Sequence, residues 1–463
     1  MNFLKSHVLF LVLILCGTCF PAFASDSGAS LTVYNGGRAL VHEVRTLKMA
    51  RGVGEVVIPG MPRGIDPDSV LISGRDLSVL DMEYRWNPIS PEALLKAYVG
   101  REISVILPDP GDADGRVTRK ATLLSAGPGG PVFRIKDRIY VGRHEALIFP
   151  DQPEELQATP ELAMTVDNRG AKVRPVDVSY FLGGLDWNAE YALLLDEKGN
   201  GGRLECRASV RNDSGSAFKG AHLRLIAGDV QRQGGGQRMF KAAMAMNAEA
   251  APAPDVAEQA VSGYHMYSVD RPVSIPARGV KQISLFSASL LNPEREYVAV
   301  WNGMGRNSGE IREPVRMNLA FDNIKRNGLG IPLPAGIVRV YDATDDGVRV
   351  LAGESRVPHV ASQARVNLAL GEAFDLDVRR VQTSFSKVAK NEYAVAWKIV
   401  LRNGSDSEKT VLLRERLGMD WEITKSSMEF RKMDAATAEF VVNVPPSDRG
   451  GQVEVTYTAT IRH

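Results

Sequence analysis

The residues best suited to chemistry in this sequence lie in one short stretch, Gly183–Tyr191. The stretch carries two carboxylates, Asp186 and Glu190, beside two aromatic residues, Trp187 and Tyr191. Glycoside hydrolases use a pair of carboxylic acids as proton donor and as base or nucleophile. Aromatic rings add flat apolar surfaces with a polar tip. The stretch is therefore a candidate carbohydrate site, either hydrolytic or purely sugar-binding.

The element that must position these side chains is an extended strand. Alternate side chains of a strand point to opposite faces of its sheet. Asp186 and Glu190 then share one face, and Trp187 and Tyr191 share the other. We expect the aromatic rings to be buried and the acids to face solvent. The pattern favours a core anchor over a catalytic pair, and we assign no catalytic residue.

Two further motifs lack the residues that their chemistry needs. Gly328–Gly336 is rich in glycine but has no Lys-Ser/Thr ending, and its prolines remove backbone donors that a phosphate would require. We expect a rigid turn that leads into a strand at Ile337–Tyr341. The nucleophile-elbow pattern Gly-x-Ser-x-Gly is also missing from the sequence.

The spacing of possible metal ligands also gives little indication of a metal site. No histidine has a second histidine or a cysteine at the spacing of a metal site. The histidines after the amino terminus are His42, His144, His222, His265, His359 and His463. Met239, Met244 and Met246 are soft ligands of the kind that copper prefers, although an Ala-rich segment accounts for them as composition. The sequence predicts no metal and no cofactor, and leaves open a site assembled from distant residues.

The amino terminus has the layout of a cleaved secretory signal. Lys5 supplies a positive charge, and an apolar run follows at 8–15. Small residues, Ala22 and Ala24, occupy positions −3 and −1 of a cut before Ser25. The apolar run is shorter than the ~20 residues that span a bilayer. We expect residues 1–24 to be removed, and we expect no transmembrane segment in the mature chain.

Charge and cysteine content narrow the function classes. Cleavage before Ser25 leaves 55 basic and 55 acidic residues. This balance argues against a dedicated nucleic-acid binder, which would carry a basic excess. Cys206 is then the single cysteine, so we expect no internal disulfide. Its alternating surroundings predict a buried strand thiol rather than a nucleophile.

The fold class that the sequence predicts is mainly β. Short β-branched runs separated by Gly, Pro, Asn and Asp predict β-sandwich, Ig-like units. Residues 25–98 form a β segment with one short helix, which Ser90 caps and which continues from Pro91 to Tyr98. Residues 99–150 hold five short apolar runs in 50 residues, which suggests a small SH3-like barrel.

A sandwich region is expected at 160–463, with one interruption. Residues 232–262 contain a Gly run, Ala, Met and Ala-Pro repeats, and almost no β-branched residues. That composition is typical of a disordered insertion. The sequence also allows a separate Ig-like terminal unit at 373–463.

One weak internal echo concerns two asparagine-led turns. A strand that ends at Asn212 precedes one strand, and a strand that ends at Asn403 precedes another. Asn, Ser and Gly dominate turns in general, so an ordinary turn is the favoured explanation. Two related sandwich modules are the alternative.

Several segments, in order along the chain, resemble one bacterial family. They are Leu31–Asn35 with the following Gly-Gly-Arg-Ala-Leu-Val-His-Glu, Ser179–Tyr191, Asn212–Val230, Gly328–Tyr341, Gly353-Glu354 and Asp420-Trp421. They are similar to the mucoidy-inhibitor-A-like proteins, which are built on domain of unknown function 4139. The resemblance implies a β-rich, exported envelope protein and brings no catalytic residues with it. This sequence has no long heptad pattern, so the coiled coil of the two-domain members is in doubt here.

Two functions follow as hypotheses. The first is a periplasmic or secreted, non-catalytic binding or scaffolding protein, compatible with outer-membrane association, whose partner is an envelope protein or a polysaccharide. The second is a carbohydrate-active hydrolase or sugar-binding module centred on Asp186, Trp187, Glu190 and Tyr191. A sandwich fold does not decide between these two hypotheses, because sandwiches host many unrelated functions.

Overall fold

The computed structural model describes residues 28–108, 115–196, 199, 201–228, 256–261, 264–303, 305–344, 346–418 and 420–462. Strands account for 66% of the described residues and helices for 4%, which confirms the mainly β fold class.

The bounds of the elements follow in chain order. The first eleven strands are β1 Ser30–Tyr34, β2 Arg38–Lys48, β3 Gly52–Pro59, β4 Leu71–Ser73, β5 Leu77–Arg85, β6 Glu102–Pro108, β7 Arg116–Gly127, β8 Gly130–Ile135, β9 Arg138–Tyr140, β10 Ala146–Ile148 and β11 Glu161–Asn168. The next ten are β12 Val173–Gly183, β13 Leu185–Leu195, β14 Gly201–Asn212, β15 Phe218–Ala227, β16 Val256–Val261, β17 Tyr264–Ile275, β18 Gly279–Leu291, β19 Glu294–Trp301, β20 Glu310–Glu313 and β21 Arg316–Asp322. The last ten are β22 Gly336–Ala343, β23 Arg349–Val357, β24 Arg365–Glu372, β25 Leu376–Ala389, β26 Glu392–Asn403, β27 Lys409–Arg416, β28 Asp420–Ser426, β29 Arg431–Lys432, β30 Thr437–Val444 and β31 Gln452–Arg462. The helix α1 is Pro91–Ala97, and short 3-10 turns lie at Pro67–Ser69, Lys325–Asn327 and Ser447–Arg449.

The chain divides into two compact units. Among the described residues, the first unit comprises residues 28–29, His42–Met61 and Val70–Tyr180, and the second comprises Ser30–Val41, Pro62–Ser69 and the chain from Phe181 onward. Strands β2 and β12 each contribute residues to both units.

The first unit contains a three-stranded antiparallel sheet and a five-stranded one. The smaller has the order β3-β11-β5, and the larger has the order β10-β6-β7-β8-β9. The larger sheet curls around an apolar core of Ile103, Val105, Leu123 and Phe133, against which both edge strands pack. This is the region predicted as an SH3-like barrel. Its five strands are present, but the pairings among the described residues do not close them into a barrel.

The short helix forms where its sequence signals lie. The Ser90 hydroxyl accepts a hydrogen bond from the Ala93 N–H at 3.0 Å, and Pro91 occupies the first turn, where no N–H is needed. The helix ends at Tyr98, whose ring is buried in the core of the curled sheet.

The second unit begins with what we call the first sandwich. One layer contains the neighbouring strands β16-β17-β15-β1-β2-β12 of a seven-stranded sheet, and the other follows the order β18-β14-β13-β22-β23. Alternate residues of the central strands are buried, as in Leu31 and Val33 of β1 and Leu223 and Leu225 of β15. The period-2 alternation of the sequence therefore becomes the inner and outer faces of the two layers.

The second sandwich is built from later strands of the same unit. Its layers have the orders β24-β21-β19-β27-β30-β29 and β20-β25-β26-β31-β28. Buried residues of both layers share one core, among them Trp397, Val411, Phe440 and Tyr457. The layers draw on strands before residue 373 as well as after it.

The structure differs from the sequence prediction at the end of the disordered insertion. Val256–Val261 forms β16, which pairs antiparallel with β17. The rest of the predicted insertion, 232–255 and 262, lies outside the described residues. The six-residue strand was missed because its central residues, Ala, Glu and Gln, are poor strand formers. Its extended conformation depends on pairing with β17 rather than on local propensity.

Candidate functional site

Strand β13 carries the four candidate residues, and its two faces separate them as predicted. Trp187 and Tyr191 are buried. The Trp187 indole Nε1 donates to the Ile226 carbonyl at 3.0 Å, and the Tyr191 hydroxyl donates to the Pro334 carbonyl at 2.6 Å. Both polar tips are therefore satisfied inside the first sandwich, so these rings anchor its core and offer no open sugar platform.

The two acids lie on the outer face of the same strand. The Asp186 carboxylate accepts a hydrogen bond from the Gly36 N–H at 2.9 Å, which fixes the turn between β1 and β2. The Glu190 carboxylate lies 2.6 Å from the Arg339 guanidinium, which also lies 2.9 Å from Glu354. Each acid thus has a structural partner.

Their separation also argues against glycoside hydrolysis. Asp186 and Glu190 are four residues apart on a strand whose pairing with β14 runs without a register shift. At ~3.4 Å per residue, their Cα atoms are roughly 13 Å apart. The two side chains also diverge, because Asp186 reaches Gly36 beside the start of β13 and Glu190 reaches Arg339, which pairs with Ala192 further along the strand. The carboxyl groups of paired glycosidase acids are only ~5–5.5 Å apart in retaining enzymes and ~6.5–9.5 Å apart in inverting ones. The four residues come together on one strand, but not in a catalytic geometry.

The glycine- and proline-rich stretch Gly328–Gly336 serves the same core. Besides Tyr191, the Tyr267 hydroxyl donates to this stretch, reaching the Pro332 carbonyl at 2.8 Å. Burial raises the pKa of both tyrosine hydroxyls, so they stay protonated as donors. The stretch ends at β22, which confirms the predicted turn and strand.

Cys206 is a buried strand thiol, as the sequence predicts. It is fully buried on β14, and burial raises the pKa of its thiol well above the usual range. A thiol that stays protonated is a poor nucleophile and metal ligand.

The structure assembles one constellation that the sequence did not reveal. His42 on β2 lies between Ser179 and Asp177 on β12, within the first unit. The His42 Nδ1 atom is 3.0 Å from the Ser179 hydroxyl oxygen, and Nε2 is 3.6 Å from the Asp177 carboxylate. The order of groups matches a nucleophile, a base and an acid that orients the base. Only the alternation of Asp177 and Ser179 was visible in the sequence, because His42 is more than a hundred residues away.

Ser179, His42 and Asp177 nevertheless have the geometry of a hydrogen-bonded group at the surface. Ser179 is only 5% exposed, whereas His42 and Asp177 are 42% and 48% exposed. The histidine–carboxylate distance is longer than a hydrogen bond. A buried hydroxyl beneath an exposed imidazole is difficult for a substrate to approach, so we assign it no catalytic role.

A second constellation that the sequence missed is a buried ionic cluster in the second sandwich. Arg380 is fully buried, and its guanidinium makes a bidentate contact with Glu415 at 2.8 and 2.9 Å. It also contacts Glu313 and lies 4.4 Å from the ring centre of Trp301. The Tyr457 hydroxyl donates to Glu415 at 2.6 Å.

Charge in this cluster is not balanced by its members alone. Glu313 and Glu415 together outnumber the one guanidinium, and the second carboxylate oxygen of Glu313 is buried without a partner among the described residues. Burial and the neighbouring Glu415 carboxylate raise the pKa of Tyr457, so its hydroxyl remains a donor. The cluster fixes how β20, β25, β27 and β31 meet and is closed to solvent.

The described residues contain neither a metal-binding group nor a membrane-spanning helix. No group of three or more His, Cys, Asp or Glu side chains with the geometry to hold a metal ion occurs within the described residues. Met239, Met244 and Met246 lie outside them, as do residues 1–27 with the predicted cleavage between Ala24 and Ser25. Across the part of the chain that the structure describes, no helix is both long and apolar enough to cross a bilayer.

The fold and the site therefore define a multi-sandwich β protein whose notable side chains hold its own structure. Residues 176–421 match the family described as Domain of unknown function (DUF4139), and residues 31–101 match the N-terminal domain of unknown function (DUF4140). The first match covers more than half of the chain, so this protein belongs to the DUF4139 family. No curated protein sequence matches it.

Proposed function

We propose that this chain is an exported, non-catalytic binding or scaffolding protein of the bacterial envelope. One observation carries the non-catalytic part. The candidate carboxylates, Asp186 and Glu190, are held by Gly36 and Arg339 and are spaced too far apart for glycoside hydrolysis. The hydrolase hypothesis is the alternative, and the geometry does not favour it.

The export part rests on the amino-terminal sequence. A basic residue, a short apolar run and Ala22-x-Ala24 fit a cleaved signal, and the resemblance to mucoidy-inhibitor-A-like proteins fits the envelope. The proposed location is the periplasm or the exterior, compatible with outer-membrane association.

Export can be tested with the full chain carrying a carboxyl-terminal tag. We expect fractionation to place it outside the cytoplasm with Ser25 as its first residue. Replacing both Ala22→Arg and Ala24→Arg should block processing and retain the full-length mass. A wild-type chain recovered in the cytoplasm at full mass would contradict export.

The binding role can be tested on the purified chain from Ser25 onward. We expect it to leave envelope polysaccharides intact and to cross-link reproducibly to an envelope component. Asp186→Asn and Glu190→Gln should leave that cross-link unchanged. Cleavage of a polysaccharide that either substitution abolishes would restore the hydrolase hypothesis.

A further inference from the structure

Strand β20 is attached to the second sandwich in an unusual way. It has four residues, Glu310–Glu313, and lies at the edge of its sheet, where it pairs antiparallel with β25. Three of its four side chains are charged, and only Ile311 packs against the apolar core. So short and polar a strand buries little apolar surface, so besides its main-chain pairing with β25 its attachment must come largely from charge.

The outer face of β20 makes two ion pairs with β25. Glu310 lies 2.9 Å from Arg379, and Arg312 lies 2.9 Å from Asp377. Arg379 and Asp377 also pair with each other at 2.6 Å. All four side chains are at least partly exposed, so salt screens these pairs.

The inner face adds a third pair, between Glu313 and Arg380 of the buried cluster. The loop before β20 is attached by one side chain of β25. The Gln382 carbonyl accepts from the Asn307 N–H at 2.7 Å, and its amide donates to the Gly305 carbonyl at 3.1 Å. Both attachments are polar, and the first of them is buried.

The first sandwich attaches the strand beside β13 differently. There β22 pairs in parallel with β13 over six residues, and its other side is covered by β23. Val338 and Val340 of β22 are buried in the core. Beyond their main-chain pairing, β22 is therefore held mainly by apolar burial and β20 mainly by charge.

We propose that β20 is a releasable strand and that the edge of β25 beneath it accepts an extended segment of a partner protein. The segment would carry an acid, any residue, a base and an acid, because Arg379, Asp377 and Arg380 would pair with those charges. Main-chain hydrogen bonds would supply the affinity and the charges the selectivity. This proposal rests on the binding role proposed above and names its surface.

Release of β20 is testable by hydrogen exchange on the folded chain. Exposed ion pairs stabilise a strand only modestly, and salt screens them. Raising NaCl from 50 to 500 mM should therefore speed exchange of β20 about fivefold and leave β22, β26 and β31 unchanged. The pair of substitutions Glu310→Gln and Arg312→Gln should do the same at low salt. Arg339→Gln, which cuts the exposed pairs of β22, is the matched control and should leave exchange of β22 unchanged.

Capture of a segment is tested on that double variant, whose β25 charges are intact. A labelled peptide with the sequence of residues 308–315 should bind it, as followed by fluorescence anisotropy. A peptide with its three charges inverted should bind at least tenfold more weakly.

Three results would overturn the proposal: salt-independent exchange of β20, acceleration throughout the second sandwich, or equal or absent binding of the two peptides. A cross-linked envelope partner that contacts another surface would leave the binding role standing while removing this edge from it.

Discussion

The two sandwiches turn the same corner with the same side chain. In the first, buried Asn212 ends β14, and its amide donates to the carbonyls of Ser216 and Pro276, both at 2.7 Å. Its carbonyl accepts from the N–H and the hydroxyl of Ser214 at 3.0 and 2.7 Å. The corner thereby moves the chain from one layer to the other, where β15 begins.

In the second, Asn403 ends β26 and repeats these contacts. Its amide donates to Ser407 at 2.8 Å and to Pro445 at 3.2 Å, and Ser405 donates to its carbonyl at 3.0 and 2.7 Å. The wider topology agrees as well, since β15 runs parallel to β1 and β27 runs parallel to β19. The sequence echo therefore reflects a repeated module rather than an ordinary turn.

The cores of the two modules differ at a matched position. Asn212 pairs with Leu185 and Asn403 with Leu376, so counting four residues on from each leucine matches Ala189 with Arg380. Both are buried. One module therefore has a methyl group where the other has the centre of an ionic cluster. The corner sets the topology, and the core chemistry varies beneath it.

The two modules should differ most in their response to a substitution at Arg380 and at the matched Ala189. Arg380→Met should destabilise the second sandwich by about 3–5 kcal/mol, because it leaves two buried carboxylates without their cation. Urea unfolding followed by tryptophan fluorescence would measure the loss. The matched change Ala189→Met tests overpacking alone and should cost about 1–3 kcal/mol.

A variant that replaces the whole cluster separates charge from packing. Arg380→Met with Glu313→Leu, Glu415→Leu and Tyr457→Phe should recover most of the lost stability, because the cluster then holds no charge. An unchanged midpoint in Arg380→Met alone would contradict the ionic interpretation.

The corners should respond alike. Asn212→Ala and Asn403→Ala should each cost about 2–4 kcal/mol, because each leaves several buried backbone groups unpaired. Thermal unfolding by calorimetry would compare them. Asn188→Ala, on the exposed face of β13, should stay within about 0.5 kcal/mol. A large effect at only one corner would end the equivalence of the modules.

Removing a buried tyrosine hydroxyl should also destabilise the two cores by different amounts, and each loss should be smaller than at the asparagine corners. Tyr457 donates to a carboxylate, and Tyr191 donates to a backbone carbonyl. Tyr457→Phe should cost about 1.5–3 kcal/mol and Tyr191→Phe about 0.5–1.5 kcal/mol, since hydrogen bonds to charged groups are the stronger ones. Urea midpoints of the two variants would show the order, and a reversed order would contradict it.

The smallest predicted effect is the loss of stability in acid that comes from Asp377. Burial acts to raise the pKa of Asp377, but hydrogen bonds from Arg379 and Arg312 outweigh it and lower the pKa below its usual value. The stability that Asp377 contributes is therefore present above its unfolded pKa and is lost as pH falls through the lower, folded value. The effect should stay below about 1 kcal/mol, because these pairs are exposed. Stability between pH 5 and pH 2 should fall less in Asp377→Asn than in the wild type, and equal slopes would contradict this.

Sequence patterns predicted the features that depend on local spacing. Alternation correctly placed Trp187 inward and Asp186 outward, and the Ser90-Pro91 pair correctly started the helix. The Arg380 cluster was invisible, because its partners Glu313 and Glu415 lie on separate strands and each charged residue alone looks like a surface residue. Long-range pairing is what a single sequence hides.

The position of β1 has a consequence for the order of folding. This early strand lies between β15 and β2, and its Leu31 pairs with Leu223, almost two hundred residues later. Contacts so distant in sequence slow folding, because a long loop must close before they form. In a chain synthesised from its amino terminus, the edge of β1 that pairs with β15 stays unpaired until β15 has been made. The first sandwich can therefore be completed only late in synthesis or after it.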